Sequence, residues 1–498
     1  MPTVGQHLDI QFGDAERIRK FRGVLDAGGY TDVAIIETLG SMETPSHRAK
    51  NLPRLLWATS QDTVLNGLIR LFLLCHPMPE EQAARVLHPM TVDEVASLGI
   101  LSHEDGIVTG AIVIMPFEGA MLTCDQPWKI ETGAFRDLVM GLTRSSADML
   151  NFAVRRDVAT LLDLGTGGGV LAFRAAQHAQ KIYAVDKNER AVEFAIFNQH
   201  LNGVANIEFL AGDAFEPVRE LRFDQIMANP PFVIGPEQRY LYRDSGHKSD
   251  LFAQKLAREA PLQLNEGGYF QMVCEWVQLK DERWQNRVES WFRGSGCDVM
   301  VWTMDTQQPA QYAEKWVRDT EQETGDEGAA LYREWMDYFA DEQIEAIHMG
   351  VVAMRKRTRA SGNWFRIDEG LEHWNDWVGG VVEETFALGD FLLKSDDEIL
   401  NSALKVRPGL RLMKQATWTP EGWKVVGAQL RQTDGMRYGG NIDEPVAALI
   451  SRCDGQHQLG TLLLETAQAM GADPARVVPG YLGILRKLIE RGFLLPAS

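Results

Sequence analysis

Thr160-Leu161-Leu162-Asp163-Leu164-Gly165-Thr166-Gly167-Gly168-Gly169-Val170 decides the fold, because an apolar run breaks into glycines and then into a helix-like stretch, Leu171 to His178. Read as strand, turn and helix, it brings backbone close to a ligand, since glycine carries no Cβ. The turn fails the dinucleotide fingerprint, which wants Gly or Ala where Val170 stands. A second strand, Lys181 to Val185, ends at Asp186, placed either to accept hydrogen bonds from ribose hydroxyls or to cap the helix that follows. A third, Asn206 to Leu210, leads to Gly212-Asp213-Ala214-Phe215, where Asp213 suits the exocyclic amine of an adenine and Ala214 and Phe215 its face. Each site lies at the carboxyl end of a predicted strand, where open α/β sheets bind ligands.

The fourth strand, Phe223 to Ala228, ends in Asn229-Pro230-Pro231-Phe232. Two prolines fix φ and remove two backbone donors, so the Asn229 side chain and the Pro230 carbonyl are held as acceptors facing a bound NH2 group. Phe232 is then placed to stack on the flat group that bears it. Taken alone, the four letters also describe a strand ending in a rigid turn.

With these motifs in this order, the stretch from Arg155 to Arg359 resembles the class I S-adenosylmethionine-dependent methyltransferases, and within them the "small" methyltransferase branch with an Asn-Pro-Pro-aromatic motif. That branch methylates adenine N6, guanine N2 and the glutamine amide. The resemblance implies that Asp163, Gly165, Thr166 and Gly167 border the methionine part of S-adenosylmethionine, Asp186 the ribose, and Asp213 and Ala214 the adenine. It implies that Asn229, Pro230 and Phe232 hold the acceptor nitrogen. The chain departs from the release-factor glutamine enzymes by Phe232 in place of tyrosine, and from the ribosomal-RNA guanine enzymes by Val233 in place of histidine.

The chain has 498 residues, 45% hydrophobic and 24% charged, which suits a globular protein of two or three domains. Its 5 dispersed cysteines form no C-x-x-C pair, so neither structural zinc nor disulfides are expected, and a reducing cytoplasm is the natural compartment. No signal pattern or membrane-length apolar run is evident. A net charge of −19 argues against indiscriminate nucleic-acid binding, while Arg355 to Arg359 and the series Lys405, Arg407, Arg411, Lys414 remain as local basic patches or solvated surface.

The expected architecture is a Rossmann-like seven-stranded α/β core, 151–359, with a helical insertion at 305–343 that is either a lid or a packing helix pair. Residues 1–150 read as a helical N-terminal domain with one β-hairpin, Gly106 to Ile114 with Gly119 to Cys124. Residues 360–435 read as a β-rich accessory region whose tryptophans (Trp364, Trp374, Trp377, Trp418, Trp423) belong to its core, with stacking on nucleic-acid bases as the second reading, and 436–498 as a winged-helix-like module. The expected activity is S-adenosylmethionine-dependent methylation of a planar nitrogen on RNA, DNA or protein. A small-molecule methyltransferase and a non-catalytic cofactor-binding protein are the alternatives, and the oligomeric state is left open.

Overall fold

The structure is a computed structural model that describes residues 9–40, 48–132, 136–236, 240–318, 325–359, 362–369 and 376–497. Backbone contacts divide it into two compact units, one of residues 1–150 and 156–373, the other of 151–155 and 374–498.

In the first unit, β1 (Val158–Leu164), β2 (Ala179–Asp186), β3 (Ile207–Ala211), β4 (Phe223–Ala228), β5 (Leu264–Leu279), β6 (Cys297–Gln307), β7 (Ile344–Lys356) and β8 (Phe365–Asp368) form one sheet. Its order is β8-β6-β7-β5-β4-β1-β2-β3, with only β7 antiparallel to its neighbours. Seven strands were expected; the eighth, β8, lies parallel to β6 on the edge and carries the sheet past residue 359. Parallel strands covered on both faces read as continuous apolar runs, and Tyr269 to Val277 of β5 is buried at every position. The helices are α1 (Val170–Ala175), α2 (Glu189–Asn202), α3 (Leu251–Gln263), α4 (Trp284–Trp291), α5 (Pro309–Trp316) and α6 (Gly325–Asp341). The last two make up the insertion.

The first 150 residues do not form a separate core. Phe21, Leu25, Phe72 and Met121 pack in one cluster with Ala191, Phe194, Phe197 and Leu201 of α2. The expected single hairpin is divided: Ile107–Gly110 pairs with Leu101–Glu104, and Val113–Phe117 with Ala120–Cys124. Gly110 accounts for the break, since a Cβ there would lie 2.0 Å from the Leu71 carbonyl oxygen, and the next amide, Ala111, bonds Ile100 instead of a hairpin partner.

Residues 360–435, of which those from 374 on belong to the second unit, hold four strands and also two helices. Val382, Thr385, Phe386 and Gly389 are buried at helical spacing along Gly379–Leu392, and Asp396–Leu400 is a capped helical turn. The hairpin Leu410–Thr419 with Gly422–Gln432 follows. Its third strand, Gly439–Ile442, covers only Ala428 to Arg431, so the far end stands uncovered and Trp418 and Trp423 are 63% and 73% exposed, not core. Trp377 donates to the Ala153 carbonyl, Trp364 of the first unit is half-buried, and Trp374 lies outside the described residues. The C-terminal helices Glu444–Ile450, Leu459–Ala469 and Pro474–Glu490 pack with a three-stranded sheet whose central strand, Ala403–Val406, comes from upstream.

Candidate functional site

A cavity of about 660 Å³ opens at the carboxyl ends of β1, β2 and β4. Gly165, with φ +74°, turns the chain out of β1, its amide bonds Val185 and a Cβ on it would lie 3.6 Å from the Asn229 carbonyl. Asp186, at the end of β2, accepts from the Gly167 and Asn188 amides, each at 2.8 Å, through different oxygens. It therefore pins the glycine turn to the start of α2, and Asn188, not Asp186, caps that helix. Burial raises the Asp186 carboxyl, against those backbone hydrogen bonds.

Among the expected cofactor residues, Gly165, Thr166, Gly167, Asp186, Asp213, Ala214 and Asn229 line this cavity, as do Pro230 and Phe232. Ala214 has φ +50°, which turns the backbone at that wall, and Asp213 has Lys255 Nζ at 4.0 Å. Two expectations fail. Asp163 is fully buried and does not line the cavity: one oxygen accepts from Thr166 Oγ1 at 2.7 Å and from the Ala172 amide at 3.0 Å, so it braces the turn from behind. Burial lifts it to about 7. Phe215 is also spent on packing, beside Val218 and Phe223.

The Asn229 side chain donates through Nδ2 to Ser146 Oγ at 3.0 Å, and Ser146 is held in turn by Thr143 Oγ1 at 2.9 Å. Asn229 Oδ1 is buried and has no partner. A buried acceptor left unsatisfied costs roughly 1–3 kcal/mol unless something completes it. Ser146 belongs to a segment, Arg136 to Ser146, that walls the cavity. That segment is anchored by Asp125, which accepts from the Val139 amide and pairs with Arg190 of α2, and it holds the loop after the proline motif through Leu241 N on the Arg136 carbonyl.

The wall beyond Phe232 comes from the other half of the sheet. Glu275, Met349 and Asp305 are register partners across β5, β7 and β6, and all three line the cavity with Lys315 and Trp316 of α5. Tyr312 of α5 donates to the fully buried Glu275 and accepts from the Ile234 amide, two residues past the motif. Burial pushes the Glu275 carboxyl up to about 8, with Tyr312 and Lys315 opposing and Asp305 adding to the rise. In the adjoining loop Arg243 is buried, forked onto Asp244 and 5.1 Å from the Tyr240 ring centroid. Within the insertion Trp335 and Phe339 pack into a core, and Lys315 and Trp316 belong to the cavity lining. Nothing local in the sequence marks Ser146 or Glu275; each reaches the site from a segment outside the quoted motifs.

Among the described residues no group of His, Cys, Asp and Glu is placed to hold a metal, and no helix is long and apolar enough to cross a membrane. All five cysteines are buried free thiols.

Residues 145–286 match the family model described as methyltransferase small domain, and 27–111 and 383–496 match two domains of unknown function (DUF7059 and DUF7782). The release factor glutamine methyltransferase of Thermodesulfovibrio yellowstonii is 44% identical over 75 residues, 15% of this chain and 27% of that protein. The ribosomal protein uL3 glutamine methyltransferase of Xylella fastidiosa is 31% identical over 133 residues, 24% of this chain and 42% of that protein. The structure of M. jannaschii TYW2 in complex with AdoMet aligns at 13% identity with a TM-score of 0.30, covering 50% of this chain and 87% of the other. The chain spans between 27% and 53% of the length of the first five curated relatives. The site-bearing core of the chain is a methyltransferase small domain, a class I S-adenosylmethionine-dependent methyltransferase core related to the glutamine methyltransferases.

Proposed function

We propose that this protein transfers a methyl group from S-adenosylmethionine to the side-chain amide nitrogen of a glutamine in a protein substrate. The observation that carries this reading is the buried, unpartnered Oδ1 of Asn229, a residue of the cavity lining. The residues present fit the cofactor: a glycine turn, the two carboxylates Asp186 and Asp213, and Asn229 with its orphaned acceptor all belong to the cavity lining. Asp186 would hold the ribose hydroxyls, Asp213 the adenine amine and Ala214 the adenine face.

The bound sulfonium supplies an electrophilic methyl group. An amide nitrogen is a poor nucleophile because its lone pair is delocalised into the carbonyl. Asn229 Oδ1 and the Pro230 carbonyl take the two N–H hydrogens and favour a pyramidal nitrogen whose lone pair points at the methyl. They would also stabilise the positive charge that methylation places on that nitrogen. The methylated nitrogen then releases one proton to solvent, so no side-chain base is required. Alignment of nitrogen, carbon and sulfur is the main contribution of the protein.

Incubation with methyl-labelled cofactor and, separately, a release factor, ribosomal protein uL3 and bulk RNA tests this. Label in a protein that survives nuclease and maps to glutamine is the expected result. Label confined to RNA or to small molecules would reject it.

A further inference from the structure

Glu275 has a place and a set of partners that the chemistry above does not use. It sits on β5 in line with Met349 and Asp305, on the wall beyond Phe232. Among the described residues its hydrogen-bond partner is Tyr312. The Tyr312 hydroxyl has one hydrogen and gives it to Glu275, while its lone pair takes the Ile234 amide at 3.0 Å. That fixes which oxygen of Glu275 is spent and leaves the other one for the cavity. The clamp comes from the insertion, and it ties the strand that carries Glu275 to the segment that carries Asn229.

We propose that Glu275 is the residue that recognises the second polar atom of the acceptor, the carbonyl oxygen of the carboxamide, while Asn229 and Pro230 hold its nitrogen. This rests on the glutamine reading. A primary carboxamide presents two hydrogens on one side and two lone pairs on the other, and a pocket that binds only the hydrogens leaves a buried carbonyl unsatisfied. A neutral carboxyl group, its second oxygen already accepting from Tyr312, offers one O–H donor for that carbonyl. The groups that face Glu275 decide its charge: Lys315 across the cavity favours the ionised form, Asp305 and burial favour the neutral one, and the nearby Arg243 is already paired with Asp244. The sum leaves the carboxyl at about 8, neutral in the main at pH 7.

The geometry makes two substitutions informative. Glu275→Gln keeps the shape, and with Tyr312 donating to its oxygen it turns an NH2 donor toward the cavity. It retains carbonyl recognition at every pH. Glu275→Ala removes the donor.

The test uses the full chain with S-adenosylhomocysteine and N-acetyl-glutamine amide as probe, with probe affinity read by NMR titration from pH 6 to 9. The wild type should bind the probe and lose affinity as pH rises through about 8, Glu275→Gln should bind without that loss, and Glu275→Ala should bind about 10-fold more weakly, the scale of one hydrogen bond. S-adenosylhomocysteine affinity, measured by calorimetry, should be unchanged in all three and shows that the variants are folded. Equal probe affinity in the wild type and Glu275→Ala overturns the role of Glu275 and leaves the glutamine reading standing. No binding of the probe to the wild type overturns both.

Discussion

Ser146 Oγ lies 3.0 Å from Asn229 Nδ2, so the amide of Asn229 spends its nitrogen on the protein and leaves its buried oxygen without a partner. An asparagine presents either a donor or an acceptor to a pocket, and with its nitrogen on Ser146 the one left over is the acceptor. On the proposed function the choice matters, because only an acceptor binds the hydrogens of an NH2 group.

Asn229→Ala should leave S-adenosylhomocysteine affinity within a few-fold and cut turnover on the order of 10²–10³, the loss seen when one preorganised polar partner of a reacting group is removed. Ser146→Ala frees the Asn229 amide to rotate and should lower turnover about 10-fold, with Ser146→Thr restoring it. Calorimetry and single-turnover rates separate the two effects. Full activity in Asn229→Ala would mean the acceptor nitrogen is held elsewhere.

Asp186→Asn should act on the cofactor. It keeps the size of the side chain but loses the charge and one of the two acceptors that bind the Gly167 and Asn188 amides, so S-adenosylhomocysteine affinity should fall about 10- to 100-fold. The measured dissociation constant checks this, and an unchanged value would remove Asp186 from the cofactor site.

Tyr312→Phe leaves the Ile234 amide without its acceptor inside a core and should cost roughly 1–3 kcal/mol in denaturant unfolding. Because the hydroxyl also fixes Glu275, acceptor KM should rise while cofactor affinity holds. A variant as stable as the wild type would show that the insertion is not clamped to the sheet at this point.

Asp163 gives a pH signature. Its folded carboxyl is raised from the ordinary 3.8 to about 7, so between those values the native state binds more protons than the unfolded chain and stability falls as pH rises. Asp163→Asn keeps an acceptor for the Ala172 amide and has no charge to bury. Its stability relative to the wild type should therefore grow from pH 4 to about 7 and level off above. Thermal unfolding across that range decides it, and a constant difference would mean that the carboxyl is not raised.

The cavity residues were legible because they stand at strand ends: Gly165 and Asn229 follow directly on their strands, Asp186 is the last residue of its strand and Asp213 lies two residues past its own. Asp163 was misassigned because its neighbours in sequence are ligand-facing, while strand alternation and the waiting Thr166 hydroxyl and Ala172 amide draw it inward. Beyond Asn229, Pro230 and Phe232, the far wall of the cavity was not legible. Glu275 belongs to the buried stretch Tyr269 to Val277 of its strand, and its meaning depends on Tyr312, which no spacing rule connects to it. Trp418 and Trp423 misled for a different reason: aromatic type predicts burial only where another layer exists to cover the ring, and their hairpin extends beyond its third strand.

The cluster that joins Phe21, Leu25 and Phe72 to Phe194 and Phe197 has a consequence for how this enzyme can be divided. The segment 145–286 that recurs in other proteins is a unit of inheritance but not, here, a unit of folding. Cut out at those borders, it would carry a greasy stripe along the helix that follows Asp186, with Arg190 stripped of its buried counter-ion Asp125. The isolated segment should be recovered in inclusion bodies, and the intact first unit should melt in a single cooperative step.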